Sequence, residues 1–96
     1  MSSPDIYEFH IDDANEDEMA AHGISVRHAL QVLENAHLIV RNKKWHRATH
    51  KLIGRDDGGR CFAIPVEPTY DPEVWRPVTA WPCGKGDDGA LENAGM

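Results

Sequence analysis

The sequence predicts an α+β domain in which short helices pack on one face of a small antiparallel sheet. Three observations carry this. Apolar residues recur at helical spacing near Ser25, alternate at strand spacing around Phe62, and are separated by the turn Asp56-Asp57-Gly58-Gly59. With 96 residues the chain has room for one core, and a domain of this size buries only about 60 to 65% of its unfolded surface. Any chemistry is therefore expected in a shallow groove or on an open sheet face.

Residues 5–11 alternate so that Tyr7, Phe9 and Ile11 share a side, which predicts a half-buried edge strand. Asn15, with Glu18 three residues on, has the side chains of a helix N-cap and its reciprocal partner, and Gly23 supplies a left-handed stop. The short helix between them is expected to turn Met19 and Ala20 inward. Ser25 caps a second helix in which Val26, Ala29, Leu30 and Leu33 recur at three- and four-residue spacing beside Val32. That helix ends near Asn35.

Leu38, Ile39 and Val40 form the centre of the next strand, and a basic turn, Asn42-Lys43-Lys44, leads into a strand expected over about 45–55. The Asp56 to Gly59 turn returns the chain, because glycine accepts the positive φ that hairpins demand. Phe62, Ile64 and Val66 then share one face of a strand over 60–67. Pro65 lacks a ladder donor, so this strand is expected at an edge or with a bulge. A loop over 68–73 precedes a last strand over 74–81, to which Trp75, Val78 and Trp81 give apolar bulk. From Pro82 on, no periodicity survives. The expected organisation is one domain over 1–81 and a flexible tail over 82–96.

The formal net charge of −6 conceals an uneven distribution. Residues 1–20 carry seven acids and no Lys or Arg, whereas residues 41–60 carry seven bases (Arg41, Lys43, Lys44, Arg47, Lys51, Arg55 and Arg60) against Asp56 and Asp57. A basic middle is either a solvated hairpin face or a phosphate-binding surface. No leader-like start and no apolar run near the roughly 20 residues of a membrane span occur, so no membrane association and a cytoplasmic location are expected. In a reducing compartment Cys61 and Cys83 are expected as free thiols.

His46 and His50 have a four-residue spacing, but on a strand that places them roughly 13 Å apart, too far to share a metal. No metal site and no cofactor are expected. No serine or cysteine has a neighbouring base, and no glycine-rich phosphate loop is present. The remaining constellation is His46, Arg47, His50, Arg55, Arg60 and Arg76 on adjacent strands. Metal-free RNA cleavage needs a base for the 2′-hydroxyl, an acid for the leaving oxygen and cations for the phosphorane; histidine and arginine supply these. Trp45 and Trp81 serve either as core or as base-stacking platforms. The two short helices about Gly23 also permit a helix-turn-helix reading, which the acidic first helix opposes by repelling phosphate.

Three segments resemble the BrnT family of ribonuclease toxins: Phe9-His10-Ile11-Asp12-Asp13-Ala14-Asn15 leading to Ala21-His22-Gly23-Ile24-Ser25; Leu52-Ile53-Gly54-Arg55 with Arg60; and Trp75-Arg76-Pro77-Val78-Thr79-Ala80-Trp81. The resemblance spans about residues 9–81. It implies a RelE-like fold, metal-independent ribonuclease activity and a small antitoxin-like protein partner beside an RNA substrate. On that reading His50 or His46 moves protons, Arg76 stabilises charge, and Arg47, Lys51, Arg55 and Arg60 contact phosphate. Ala48 and Thr49 stand where the family has a Glu and Arg pair, and Trp81 where it has arginine. The alternative implied is a noncatalytic relative that acts as a protein-interaction module.

Overall fold

The computed structural model describes residues 4–43 and 47–96. Its described elements, in chain order, are β1 (Glu8–Phe9), α1 (Asp13–Ala21), α2 (Val26–Glu34), β2 (His37–Arg41), β3 (His50–Arg55), β4 (Cys61–Pro68), β5 (Val74–Pro77), β6 (Trp81–Pro82) and α3 (Lys85–Asn93). The class is α+β, as expected from the sequence. The strand order is β1-β5-β4-β3-β2, with β6 also paired to β4. All pairings are antiparallel except β1 with β5, which run parallel with Glu8 opposite Val74 and Phe9 opposite Trp75.

Capping explains both N-terminal helices. Asp12, not Asn15, is the N-cap of α1: its carboxylate accepts the Asn15 N–H at 2.8 Å, while Asn15 Oδ1 accepts the Asp12 N–H at 2.9 Å. Asn15 is buried and donates through Nδ2 to the His10 carbonyl at 2.9 Å. The expected Asn15 and Glu18 cap is thus shifted by one turn position, because Asn at the third helical residue does what Glu or Gln does in the commoner box. Gly23, at φ 75°, ends the helix. Met19 is buried as expected, but Ala20 faces solvent. In α2, Ser25 Oγ accepts the His28 N–H, and Ala29, Val32 and Leu33 are buried, whereas Leu30 is exposed.

Residues 5–11 do not form one strand. The amides of Tyr7 and Glu8 both donate to the Glu73 carbonyl at 3.1 Å, and this convergence breaks the alternation, leaving Tyr7 exposed and Ile6 buried. Pro65 sits in a central strand, contrary to the expected edge or bulge. The Val78 N–H donates to the Pro65 carbonyl at 2.9 Å. In a strand a residue's N and O point the same way, so the missing proline donor faces the gap between β5 and β6 and costs β3 no bond. The single strand expected over 74–81 is therefore two short ones, β5 and β6, meeting β4 on either side of that gap.

The registers divide the sheet into two faces. His50, Leu52 and Gly54 lie opposite Val66, Ile64 and Phe62, on the side that closes with Met19, Ile24, Val32 and Trp75 into the main core. Lys51, Ile53 and Arg55 point the other way with Pro65, Ala63 and Cys61. Helix α3 covers that second face: Lys51 Nζ donates to Asp87 at 2.8 Å, and Leu91 is fully buried. Two expectations are corrected here. The helices do not share one face, and the segment read as a flexible tail carries a helix docked by an ion pair and an apolar anchor.

The disulfide between Cys61 and Cys83 corrects a third. Pairing of β6 to β4, with the Cys83 N–H donating to the Cys61 carbonyl at 3.0 Å, brings the two Cα atoms to 5.4 Å, within bridging range. Sequence distance hides this approach.

Candidate functional site

Three of the sequence-selected residues lie on the α3-bearing face or its rim, and each has a partner. Arg76, on β5, donates Nε to Asp12 Oδ2 at 2.8 Å and Nη1 to Glu67 Oε1 at 3.3 Å. Glu67 also accepts both arms of Arg47, at 2.7 and 3.1 Å. A continuous chain of charge, Arg47 to Glu67 to Arg76 to Asp12, results. The Arg76 guanidinium holds the Asp12 carboxyl down at about 2, aided by the Asn15 N–H. Asp12 in turn raises Arg76 above its ordinary value, so that side chain stays cationic. Lys51 is held by Asp87.

Arg55 and Arg60 stand at the hairpin end. Arg55 reaches the Gly59 carbonyl at 3.4 Å, and the Arg60 guanidinium lies 4.9 Å from the centroid of the Phe62 ring. Asp56 organises this turn, accepting the Arg60 N–H at 2.8 Å, while Asn35 binds the Arg55 carbonyl and Asp57. These two arginines are therefore set apart from Arg47, Lys51 and Arg76 along the sheet.

His50 lies on the opposite face. Its register partner is Val66, whereas Arg76 pairs with Glu67, so strand alternation puts the sheet between the two side chains. The His50 ring meets Trp75 edge-on at 5.2 Å, and Nδ1 lies 2.9 Å from Thr49 Oγ1. Burial and then the Arg41 charge lower its pKa from 6.5, favouring the neutral ring. The structure does not join His50 and Arg76 into one constellation. His46 lies outside the described residues, as do Lys44 and Trp45.

A cleft of about 400 Å³ opens beside β6, and it contains what the sequence did not bring together. Lys43, Arg47 and Lys51 supply cations, and Pro65, Val78 and Trp81 supply an apolar wall. Trp81 is 36% exposed. Thr79 also lines the cleft, and its Oγ1 is buried with no hydrogen-bond partner among the described residues. A polar atom so placed is normally satisfied by a water or a ligand. Chemically, three cations beside an indole face suit an anion carrying a planar or apolar group. Lys43 stood out only as part of the basic block, and Thr79 not at all, because the break between β5 and β6, which creates the cleft, has no local signature beyond Pro77.

Among the described residues, no helix is long and apolar enough to cross a membrane. No protein-family model matches the chain, and no curated protein matches it.

Proposed function

We propose that this chain is a toxin-like domain that acts on RNA in the cytoplasm, partnered by a small antitoxin-like protein, and that its RNA contact is the cleft beside β6. The observation that supports it is the convergence of Lys43, Arg47 and Lys51 with the half-open Trp81. Single-stranded nucleic acid is held by such pairings of backbone-tracking cations with a stacking ring. Arg47 and Lys51 already bind carboxylates, so a phosphate takes the place of one anion at each cation and leaves neither unpaired.

Metal-independent cleavage at this cleft needs a proton carrier. His50 is on the wrong face for that role, and the proposal therefore assigns it to His46, the sequence neighbour of Arg47. Purified protein incubated with single-stranded RNA in EDTA tests this. Cleavage is expected in the wild type and in His50→Ala, and is expected to be lost in His46→Ala and Arg47→Ala. Intact RNA in the wild-type reaction overturns it.

A second reading, a noncatalytic relative that binds a partner protein, is favoured by a different observation. Arg76 is fully engaged by Asp12 and Glu67, and Ala48, where the resemblance expects a charged residue, is buried in the cleft wall. Stable co-purification with an acidic partner encoded by the adjacent gene, together with intact RNA, is its expected result.

A further inference from the structure

The Cys61–Cys83 bridge stands beside a third ligand-bearing residue. One ligand atom each from Cys61, Cys83 and Asp88 lies within 4.8 Å of the others. Cys61 opens β4, Cys83 immediately precedes the Gly84 N-cap of α3, and Asp88 belongs to that helix. The backbones carrying the sulfurs are held by more than the bridge. Phe62 pairs with Pro82 and Ala63 with Trp81, the Cys83 N–H reaches the Cys61 carbonyl, Lys51 grips Asp87, and Leu91 is buried. Opening the sulfur–sulfur bond therefore leaves two thiols and a carboxylate close together.

We propose that this bridge is a redox-gated cation site, which in its reduced state binds a soft divalent ion of the zinc class through Cys61, Cys83 and Asp88. Two sulfurs and one oxygen suit Zn²⁺, whose bonds are about 2.3 Å to thiolate and about 2.0 to 2.2 Å to carboxylate, with water completing the tetrahedron. The three ligand atoms already lie within 4.8 Å of one another, close to the span that bonds of about 2.0 to 2.3 Å to one ion allow once the two sulfurs separate. The opening step consumes two molecules of a low-molecular-mass thiol, which leave as their disulfide. Two electrons and two protons pass to the Cys61 and Cys83 sulfurs. Cation binding then releases those two protons. In the oxidised state the sulfurs are spent on each other and the site is closed.

The test uses the full chain, reduced, freed of reductant and titrated anaerobically with Co²⁺. One Co²⁺ per chain is expected, with a sulfur-to-cobalt charge-transfer band that Zn²⁺ abolishes by displacement and that the oxidised chain does not show. Asp88→Asn is expected to weaken Zn²⁺ binding by about tenfold or more, since loss of even an outer-shell partner costs that much. No uptake by the reduced chain, uptake without the sulfur band, or unchanged affinity in Asp88→Asn overturns the proposal. Far-ultraviolet circular dichroism runs in parallel. A reduced chain that unfolds and is restored by Zn²⁺ supports the site, and one that unfolds and is not restored overturns it.

Discussion

Arg76 Nε donates to Asp12 Oδ2 at 2.8 Å and Nη2 to Oδ1 at 3.2 Å, tying β5 to the N-cap of α1. The carboxylate is shared: the oxygen that accepts the Asn15 N–H also receives Nη2. Arg76 thus fixes the start of a helix from a strand far along the chain, which is an architectural use of a residue that the family resemblance offered for charge stabilisation.

Replacing Arg76 by alanine is expected to lower the urea midpoint modestly, because the pair it breaks is partly open to solvent. Urea denaturation measures this. A midpoint equal to wild type would show that the pair contributes nothing to stability.

The same contact makes stability depend on pH. Asp12 sits at about 2 in the folded chain against 3.8 for the free group. A depressed acid contributes fully above its unfolded value and loses its contribution as pH falls toward its folded one. The stability gap between wild type and Arg76→Ala is therefore expected to be full above pH 3.8 and to close between there and about pH 2. Urea midpoints across that range provide the check.

His50 is expected to titrate below 6.5 in a proton NMR experiment, since burial and Arg41 both oppose its charge. Protonation then costs the folded state more than the unfolded, so the chain loses stability as pH falls below 6.5. Arg41→Ala should raise the midpoint only in part, because burial is the larger cause. A complete return to the free value would assign the shift to Arg41 instead.

Leu91→Ala is expected to cost about 2 to 3 kcal/mol, the lower part of the range for buried leucines, because a peripheral helix can settle into the space. A thermal melt distinguishes this from a frayed tail, for which the melting temperature would not move.

Gly54→Ala should destabilise by about 1 to 3 kcal/mol through overpacking. A Cβ there would meet Val32 Cγ1 at 3.0 Å and His37 Cβ at 3.1 Å, a side chain on α2 and the first residue of β2. Circular dichroism melts of Gly54→Ala against wild type provide the measurement.

What the sequence made legible was whatever neighbouring residues decide. Ala29, Val32 and Leu33 of α2, the Ser25 cap, the Asp56 to Gly59 turn and the inward face of Phe62, Ile64 and Val66 all follow from local spacing, whereas Leu30, expected in the same stripe, is exposed. Long-range pairing was not legible. The parallel partner of β1, the fit of Pro65 into the gap opposite Val78, and the meeting of Cys61 with Cys83 depend on which strands become neighbours. The candidate site suffered in the same way. Arg47, Lys51 and Arg76 were found from charge, but the carboxylates that occupy them, Glu67, Asp87 and Asp12, come from other elements. The assignment of His50 to the other face required the register.

The parallel contact between β1 and β5 has a consequence for how the chain is made. Glu8 and Phe9 are synthesised well before their partners Val74 and Trp75. At about 5 to 20 residues per second, Ile6 and Phe9 wait several seconds for the surface that buries them. Contacts so distant in sequence also slow folding itself. Nascent chains halted before residue 74 should therefore offer that segment to a chaperone, and completed ones should not.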